Sequence, residues 1–303
     1  MKSVLSLNQA ILATISYFNI LDFPLTLGEV EDYLYGWTAP QDAIKNEIKG
    51  IPKIVNKDGL YCLKGRESIC ESRRKREKIN IKLWKRVRRF AWLFAVCPFI
   101  RMVAVCNTLA YGNAKETSDI DVFIVTKDGK LGTARFFTKL FTQIFGVRVH
   151  NDKIAGRFCL SFFVTEGALN LGNLAHKEDP HFAYFTRTMV PIIGEEVYKK
   201  FINENEKWTA EYLKKPFKPL QKEIKKHSVF RIFQFVFELI LSLGGRSLES
   251  FLYNCQVKRD NVRKKLFPNS KGIVMNKNVF KFHEEDPREL IAERFNSTQT
   301  EVL

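Results

Sequence analysis

Apolar residues recur at helical spacing near the beginning of the chain. Ile11, Ile15 and Phe18 would share one face of a helix, so this segment is predicted to be an amphipathic helix. A second helix is predicted to begin after Thr26, because Glu29 follows three residues later and the two can form a capping box. The first residues of the chain therefore predict a helical module.

A third helix is predicted after Pro40, and a hairpin follows it. The sequence KIVNKDGLYCLKG places two β-rich arms on either side of Asp58 and Gly59, a pair typical of a two-residue hairpin turn. Three helices followed by a hairpin resemble a winged helix over roughly residues 5 to 65. The predicted third helix carries only two lysines. DNA binding and a docking or purely structural role therefore both remain open.

The chain becomes strongly basic between residues 64 and 90. This segment contains twelve Lys and Arg against three Glu. Ile79, Leu83 and Val87 recur at a spacing of four, which predicts a helix with one face against the protein. The basic helix either follows a nucleic-acid phosphate backbone or connects two domains as a solvated helix. Its apolar face favours the connector.

The middle of the chain predicts a mixed sheet. The β-rich run FIRMVAVCNTL precedes a polar loop, and the strand IDVFIVTK and the amphipathic helix GTARFFTKLFTQIFG follow. With the β-rich run RFCLSFFVT further on, this order indicates the fold class α+β. Asp119 and Asp121 stand at the start of the second strand. Residues two apart in a strand share a face, so folding alone does not explain two adjacent carboxylates.

The segment AYGNAKETSDIDVFIVT resembles a motif of the nucleotidyltransferases of the DNA polymerase β superfamily. The similarity is dense from about residue 100 to 165. It implies a nucleotidyltransferase-like sheet and the Mg²⁺-dependent transfer of a nucleoside monophosphate from an NTP, with ATP as the expected donor, to an acceptor. Asp119 and Asp121 would be the catalytic residues and would bind Mg²⁺, which prefers carboxylates, waters and phosphates. A small molecule, a tRNA and a protein side chain all remain open as acceptors.

The same resemblance places nucleotide-binding residues around the turn between the two strands. The family has Gly-Ser in this turn, whereas this chain has Cys106 and Asn107, followed by Thr108. An amide and a hydroxyl side chain can still donate hydrogen bonds to phosphate. Ser118 is also expected to cap or orient Asp119. The predicted nucleotide-binding residues are Asn107, Thr108, Gly112, Lys115 and Ser118.

A third carboxylate is missing from the expected place. Many family members carry one on a neighbouring strand, where it can deprotonate the acceptor. The run RFCLSFFVT offers only Ser161 there, with Asp152 and Glu166 near its ends, so the general base is unassigned. The alternative function is therefore a catalytically weak or inactive nucleotide-binding regulator that binds nucleic acid or a protein partner. Arg135 is expected either to reach phosphates or to be a surface charge.

The chain from residue 171 onward is predicted to be helical and is rich in Phe. Within it, FRIFQFVFELILSL is apolar on most sides and is predicted to be buried. The predicted organisation has four parts: a winged-helix-like module at 1–65, a basic connecting helix at 66–94, a nucleotidyltransferase-like core at 95–170 and a helical C-terminal region at 171–303.

Composition adds three expectations. The formal net charge of +16 favours polyanionic partners such as nucleotides or nucleic acid. The six cysteines contain no C-x-x-C pair, which favours a reducing compartment and a cytoplasmic location. The apolar stretches are shorter than the roughly 20 residues that a spanning helix needs, so no membrane partner is expected.

Overall fold

The computed structural model describes residues 5–176, 178–216, 228–268, 270–284 and 286–300. Over these residues the protein is an α+β structure with eleven α-helices and nine strands in two sheets. None of the helices in these ranges combines the length and the apolar character needed to cross a membrane.

The N-terminal part folds as three helices and a small antiparallel sheet. Its elements are α1 Leu7–Ile20, β1 Leu25–Thr26, α2 Leu27–Asp32, α3 Gln41–Ile48, β2 Ile54–Lys57 and β3 Leu60–Leu63. The predicted capping box of Thr26 and Glu29 is confirmed at the start of α2. The predicted hairpin joins β2 to β3, and both turn residues, Asp58 and Gly59, have the positive φ that such a turn requires.

The basic segment forms α4, Ser68–Val96, a helix of 29 residues. The predicted apolar stripe is confirmed, because Leu83 and Val87 are buried and Ile79 packs against the same core. The helix continues two residues beyond the predicted limit at residue 94. It therefore passes without interruption from the N-terminal module to the large sheet.

The large sheet has six strands in the order β7-β4-β5-β6-β9-β8. The strands are β4 Ile100–Val105, β5 Ile120–Thr126, β6 Phe158–Thr165, β7 Val190–Ile193, β8 Ile273–Met275 and β9 Val279–Phe282. The two strands β5 and β6 are parallel, and the other pairs are antiparallel. A single helical turn, α5 Asn107–Ala110, follows β4.

The prediction of a helical region over residues 171–303 is wrong in one respect. Three of the six strands, β7, β8 and β9, come from this region. Each has only three or four residues, too few for the alternation of apolar and polar positions that marks a strand in a sequence. The helices of the region are α7 Pro180–Arg187, α8 Glu195–Thr209, α9 Ser228–Leu243, α10 Gly245–Lys264 and α11 Arg288–Thr300.

Helices cover both faces of the large sheet. On one face, Val122 and Ile124 pack with residues of α4 and of α6, Leu131–Ile144. On the other face, Phe123 and Val125 pack with residues of α7 and α8. Because side chains alternate along a strand, the second face is also the face of Asp119 and Asp121.

Helix α9 contradicts the prediction that it is buried. Phe237 packs on Phe137, and Glu238 binds Arg101, so one side of the helix is attached to the protein. The other side is open to solvent, with Phe235 68% and Leu239 60% exposed. A nearly continuous apolar run does not reveal which of its sides the fold covers, and this is why the prediction failed.

Candidate functional site

Three potential ligand residues converge at the start of the parallel strand pair. Asp121 of β5 lies directly opposite Cys159 of β6, and Asp119 precedes Asp121 on the same face. One carboxylate oxygen from each aspartate and the Cys159 sulfur all lie within 4.8 Å of one another. The three side chains are partly buried. The two carboxylates singled out in the sequence therefore lie close together, and the Cys159 thiol lies beside them.

The negative charges of Asp119 and Asp121 repel each other. Burial raises the pKa of Asp119, and the neighbouring charge of Asp121 raises it further. Burial also raises the pKa of Asp121, while hydrogen bonds from Asn107 and Cys159 act in the opposite direction. Neither carboxylate forms an ion pair with another residue in the ranges that the structure describes. A bound cation would therefore stabilise the charged form of both groups.

Asn107 orients one of the two carboxylates. It follows β4 with a left-handed φ of 55°, a conformation that Asn tolerates better than most residues. Its Nδ2 donates to Asp121 Oδ2 at 2.9 Å, and the Cys106 N–H donates to the Asp121 carbonyl at 3.0 Å. The side chain that was predicted to bind phosphate thus contacts Asp121. The Thr108 carbonyl accepts a hydrogen bond from the Asn113 N–H at 2.7 Å.

The loop between β4 and β5 contains the other predicted nucleotide-binding residues. Gly112 has a φ of 88°, in the region that favours glycine, and Lys115 is exposed. Ser118 was expected to cap or orient Asp119, but its Oγ accepts from the Lys115 N–H at 2.9 Å. In the structure the Ser118 hydroxyl closes a turn with Lys115.

An asparagine of the basic helix holds this loop in place. Asn80 Nδ2 donates to the Gly112 carbonyl at 2.8 Å, and its Oδ1 accepts from the Ala114 N–H at 3.1 Å. Arg76 of the same helix donates to the side chain of Asn113. Helix α4 is thus connected directly to the loop that precedes the two aspartates. The sequence gives no sign of this role, because an Asn in a basic helix normally indicates solvent exposure.

Neither candidate for the third carboxylate reaches the site. Asp152 is exposed in the loop before β6, and Glu166 follows the opposite end of that strand, beside Arg101. Arg135, considered as a phosphate ligand, is only 3% exposed and forms an ion pair with Asp260 at 2.7 Å. Arg135 therefore links α6 to α10. The prediction that it either reaches phosphates or is a surface charge is wrong.

At β6, where a third carboxylate was expected, the structure has a row of hydrogen-bonded side chains. Cys159 Sγ lies 3.4 Å from Ser161 Oγ, which lies 2.9 Å from His283 Nε2. The pairing of β5 with β6 shifts register between Asp121 and Phe123, and such irregularities commonly redirect side chains near functional sites. Burial lowers the pKa of His283 to about 4, so its imidazole is neutral near pH 7. Neither Cys159 nor His283 was predicted as a site residue, because both come into place through pairing between separate strands.

The donor set fits Mg²⁺ only in part. Two adjacent carboxylates are suitable Mg²⁺ ligands when waters or phosphates complete the coordination. The third member, Cys159, offers sulfur, which hard ions do not prefer. Asp119 and Asp121 could therefore hold Mg²⁺, but Cys159 would contribute little to its binding.

Comparison of the chain with protein-family models, with curated proteins and with solved structures finds no match in any of the three. The interpretation of the site therefore depends on its own residues and their geometry.

Proposed function

We propose that the protein is a divalent-metal-dependent nucleotidyltransferase. It would transfer a nucleoside monophosphate from an NTP, with ATP as the expected donor, to an acceptor that is a small molecule, a tRNA or a protein side chain. The observation that carries the proposal is the partly buried pair of Asp119 and Asp121 at the start of β5, without an ion-pair partner among the described residues. On this proposal, the large sheet is of the nucleotidyltransferase type.

Each residue of the site has a role in this mechanism. Asp119 and Asp121 would hold a divalent ion such as Mg²⁺, which supplies Lewis-acid stabilisation to the charge on the α-phosphate and on the departing pyrophosphate. Asn107 holds one oxygen of Asp121 and thereby fixes the orientation of that carboxylate. Asn80 fixes the loop backbone at Gly112. These contacts orient the pair before substrate binds, so that less ordering is needed during the reaction.

The test is a calorimetric titration with each NTP in the presence of Mg²⁺, followed by an assay of pyrophosphate release with candidate acceptors. We expect Mg²⁺-dependent NTP binding by the wild-type protein and its loss in Asp121→Asn. Removal of the negative charge relieves repulsion within the pair, so Asp121→Asn should be as heat-stable as the wild type, or slightly more so, without metal.

Asp152→Asn is the matched control, because it removes an exposed carboxylate from a nearby loop and should leave NTP binding unchanged. Absence of metal-dependent NTP binding in the wild type, or undiminished binding in Asp121→Asn, would contradict the proposal.

A second candidate function is nucleic-acid binding, and a stripe of exposed cations on α4 favours it. Arg73 and Arg74 form ion pairs with Glu29 and Asp58, so both side chains are engaged with the N-terminal module. The cations that remain exposed on one helix face recur at spacings of three and four, and we call them the basic stripe: Lys75, Lys78, Lys82, Lys85 and Arg89. On this interpretation, the N-terminal module is winged-helix-like and lies at one end of a track for a phosphate backbone.

A further inference from the structure

The thiol of Cys159 distinguishes this site from a pair of carboxylates. Its sulfur shares the 4.8 Å cluster with Asp119 and Asp121, and strand pairing places it directly opposite Asp121. Mg²⁺ takes oxygen ligands, whereas thiolate sulfur favours softer ions of the Zn²⁺ and Co²⁺ class. A residue placed only to support Mg²⁺ would be expected to offer oxygen at this position.

The surroundings of Cys159 are those of a ligand side chain. Cys97 and Cys106 belong to hydrophobic core clusters, which explains them as packing residues. Cys159 instead contacts the Ser161 hydroxyl, which is itself hydrogen-bonded to His283. Metal-binding side chains are characteristically oriented by a second layer of hydrogen bonds of this kind. The row of hydrogen bonds from Cys159 through Ser161 to His283 therefore orients the thiol separately from the carboxylate pair.

We propose that Asp119, Asp121 and Cys159 form a mixed oxygen and sulfur site for a thiophilic divalent ion such as Zn²⁺ or Co²⁺. This inference deepens the proposed function, on which it rests, because it names the class of ion at the same carboxylate pair. Three protein ligands leave a fourth position of a tetrahedral ion open, as in catalytic zinc sites, and a phosphate oxygen or water can occupy it. On binding, the Cys159 S–H bond is replaced by a sulfur–metal bond, and the proton passes to solvent without oxidation.

The test is a titration of the reduced protein with Co²⁺, monitored by absorption in the near ultraviolet. Sulfur–Co²⁺ coordination gives a strong charge-transfer band, whereas carboxylate coordination does not. We expect the wild-type protein to show this band and Cys159→Ser to lose it. Cys255→Ser is the matched control, because Cys255 is exposed on α10 and its replacement should leave the band unchanged.

Two further variants separate coordination from misfolding. Ser161→Ala keeps the thiol but removes its hydrogen-bond partner, and it should weaken Co²⁺ binding by roughly 10–100-fold while retaining the band at saturation. Cys159→Asp should bind Mg²⁺ more tightly than the wild type, because it supplies a third carboxylate. A variant that binds Mg²⁺ more tightly must have retained the fold around the site.

The possible outcomes distinguish this inference from the proposed function. A wild-type protein that binds Mg²⁺ and NTP but shows no charge-transfer band, or a band that survives in Cys159→Ser, overturns the inference alone. A band that depends on Cys159, together with no binding of any NTP, supports the metal site and overturns the proposed function.

Discussion

Asn107 has two separate structural roles beside Asp121. Its backbone adopts a left-handed conformation after β4, and its side chain holds Asp121 at 2.9 Å. The two properties are separable, because Gly adopts the same conformation but has no amide, whereas Ala lacks the amide and is strained there.

We expect both Asn107→Gly and Asn107→Ala to weaken metal-dependent NTP binding by roughly 1–3 kcal/mol, the range for removal of a hydrogen bond to a charged group. The Gly variant should be about 1 kcal/mol more stable to unfolding than the Ala variant, because it avoids the backbone strain. Calorimetry and chemical denaturation measure the two effects separately. Unchanged binding in both variants would mean that the amide does not position Asp121.

Helices α6 and α10 are in close contact at Gly132, near the start of α6. Glu249 of α10 accepts from the backbone N–H groups of Gly132 and Thr133 at 2.7 and 2.8 Å, and thus caps the first turn of α6. A Cβ atom at Gly132 would lie 2.7 Å from the Cβ of Tyr253 and 2.8 Å from its Cα. Neither atom can move without displacing the backbone of α10.

Gly132→Ala should therefore lower the free energy of unfolding by roughly 1–3 kcal/mol, the usual cost of overpacking a tight contact. The measurement is chemical denaturation monitored by circular dichroism. Gly28→Ala is the control, because a Cβ there would meet its nearest neighbour at an ordinary 3.7 Å, within helix α2. A Gly132→Ala protein as stable as the control would show that the helices are less closely packed than described.

The basic stripe is likewise a feature of a single helix, α4. If the protein binds RNA or DNA through it, affinity should fall steeply with salt. Changing Lys75, Lys78 and Lys82 to Gln should flatten the slope of log K against log salt by about 0.7–0.9 for each phosphate that the protein no longer neutralises. The matched control changes three lysines of α8 to Gln: Lys199, Lys200 and Lys207. A fluorescence titration at several salt concentrations measures both slopes, and equal effects of the two triple variants would exclude the stripe as a specific track.

The substitutions leave out Arg73, Arg74 and Arg76. The run from Arg73 to Arg76 is the densest basic cluster of the segment, and it would be the natural target of mutagenesis. Three of its four side chains are engaged within the protein, since Arg73 binds Glu29, Arg74 binds Asp58 and Arg76 contacts Asn113. Replacing them would weaken the attachment of α4 and would not test nucleic-acid binding alone.

Over the whole molecule, local patterns predicted local structure. The capping box at Thr26, the turn at Asp58 and Gly59, and the apolar stripe of α4 each depend on residues within a few positions of one another, and each is confirmed. The proximity of Asp119 and Asp121 also follows from a local pattern, because residues two apart at the start of a strand share one face.

What the sequence did not predict depends on contacts between distant segments. Cys159 meets Asp121 only because β5 and β6 pair in parallel, and His283 reaches Ser161 from 122 residues away. The strands β8 and β9 are too short to carry a pattern of their own. The place of β9 in the sheet comes from its pairing with β6, and that of β8 from its pairing with β9. Exposure of one side of α9 likewise depends on which neighbours the fold provides.

The position of β9 has a consequence for the order in which the protein can mature during synthesis. The strands with both aspartates and Cys159 emerge from the ribosome well before residues 279–283, yet β9 covers the open edge of β6 and brings His283 to Ser161. Until then, β6 presents an unpaired edge and Ser161 lacks its contact with His283. A chain truncated before residue 279 therefore contains both aspartates and Cys159 but lacks the β9 pairing and the contact between His283 and Ser161, and this part of the sheet is complete only after residues 279–283 have been translated.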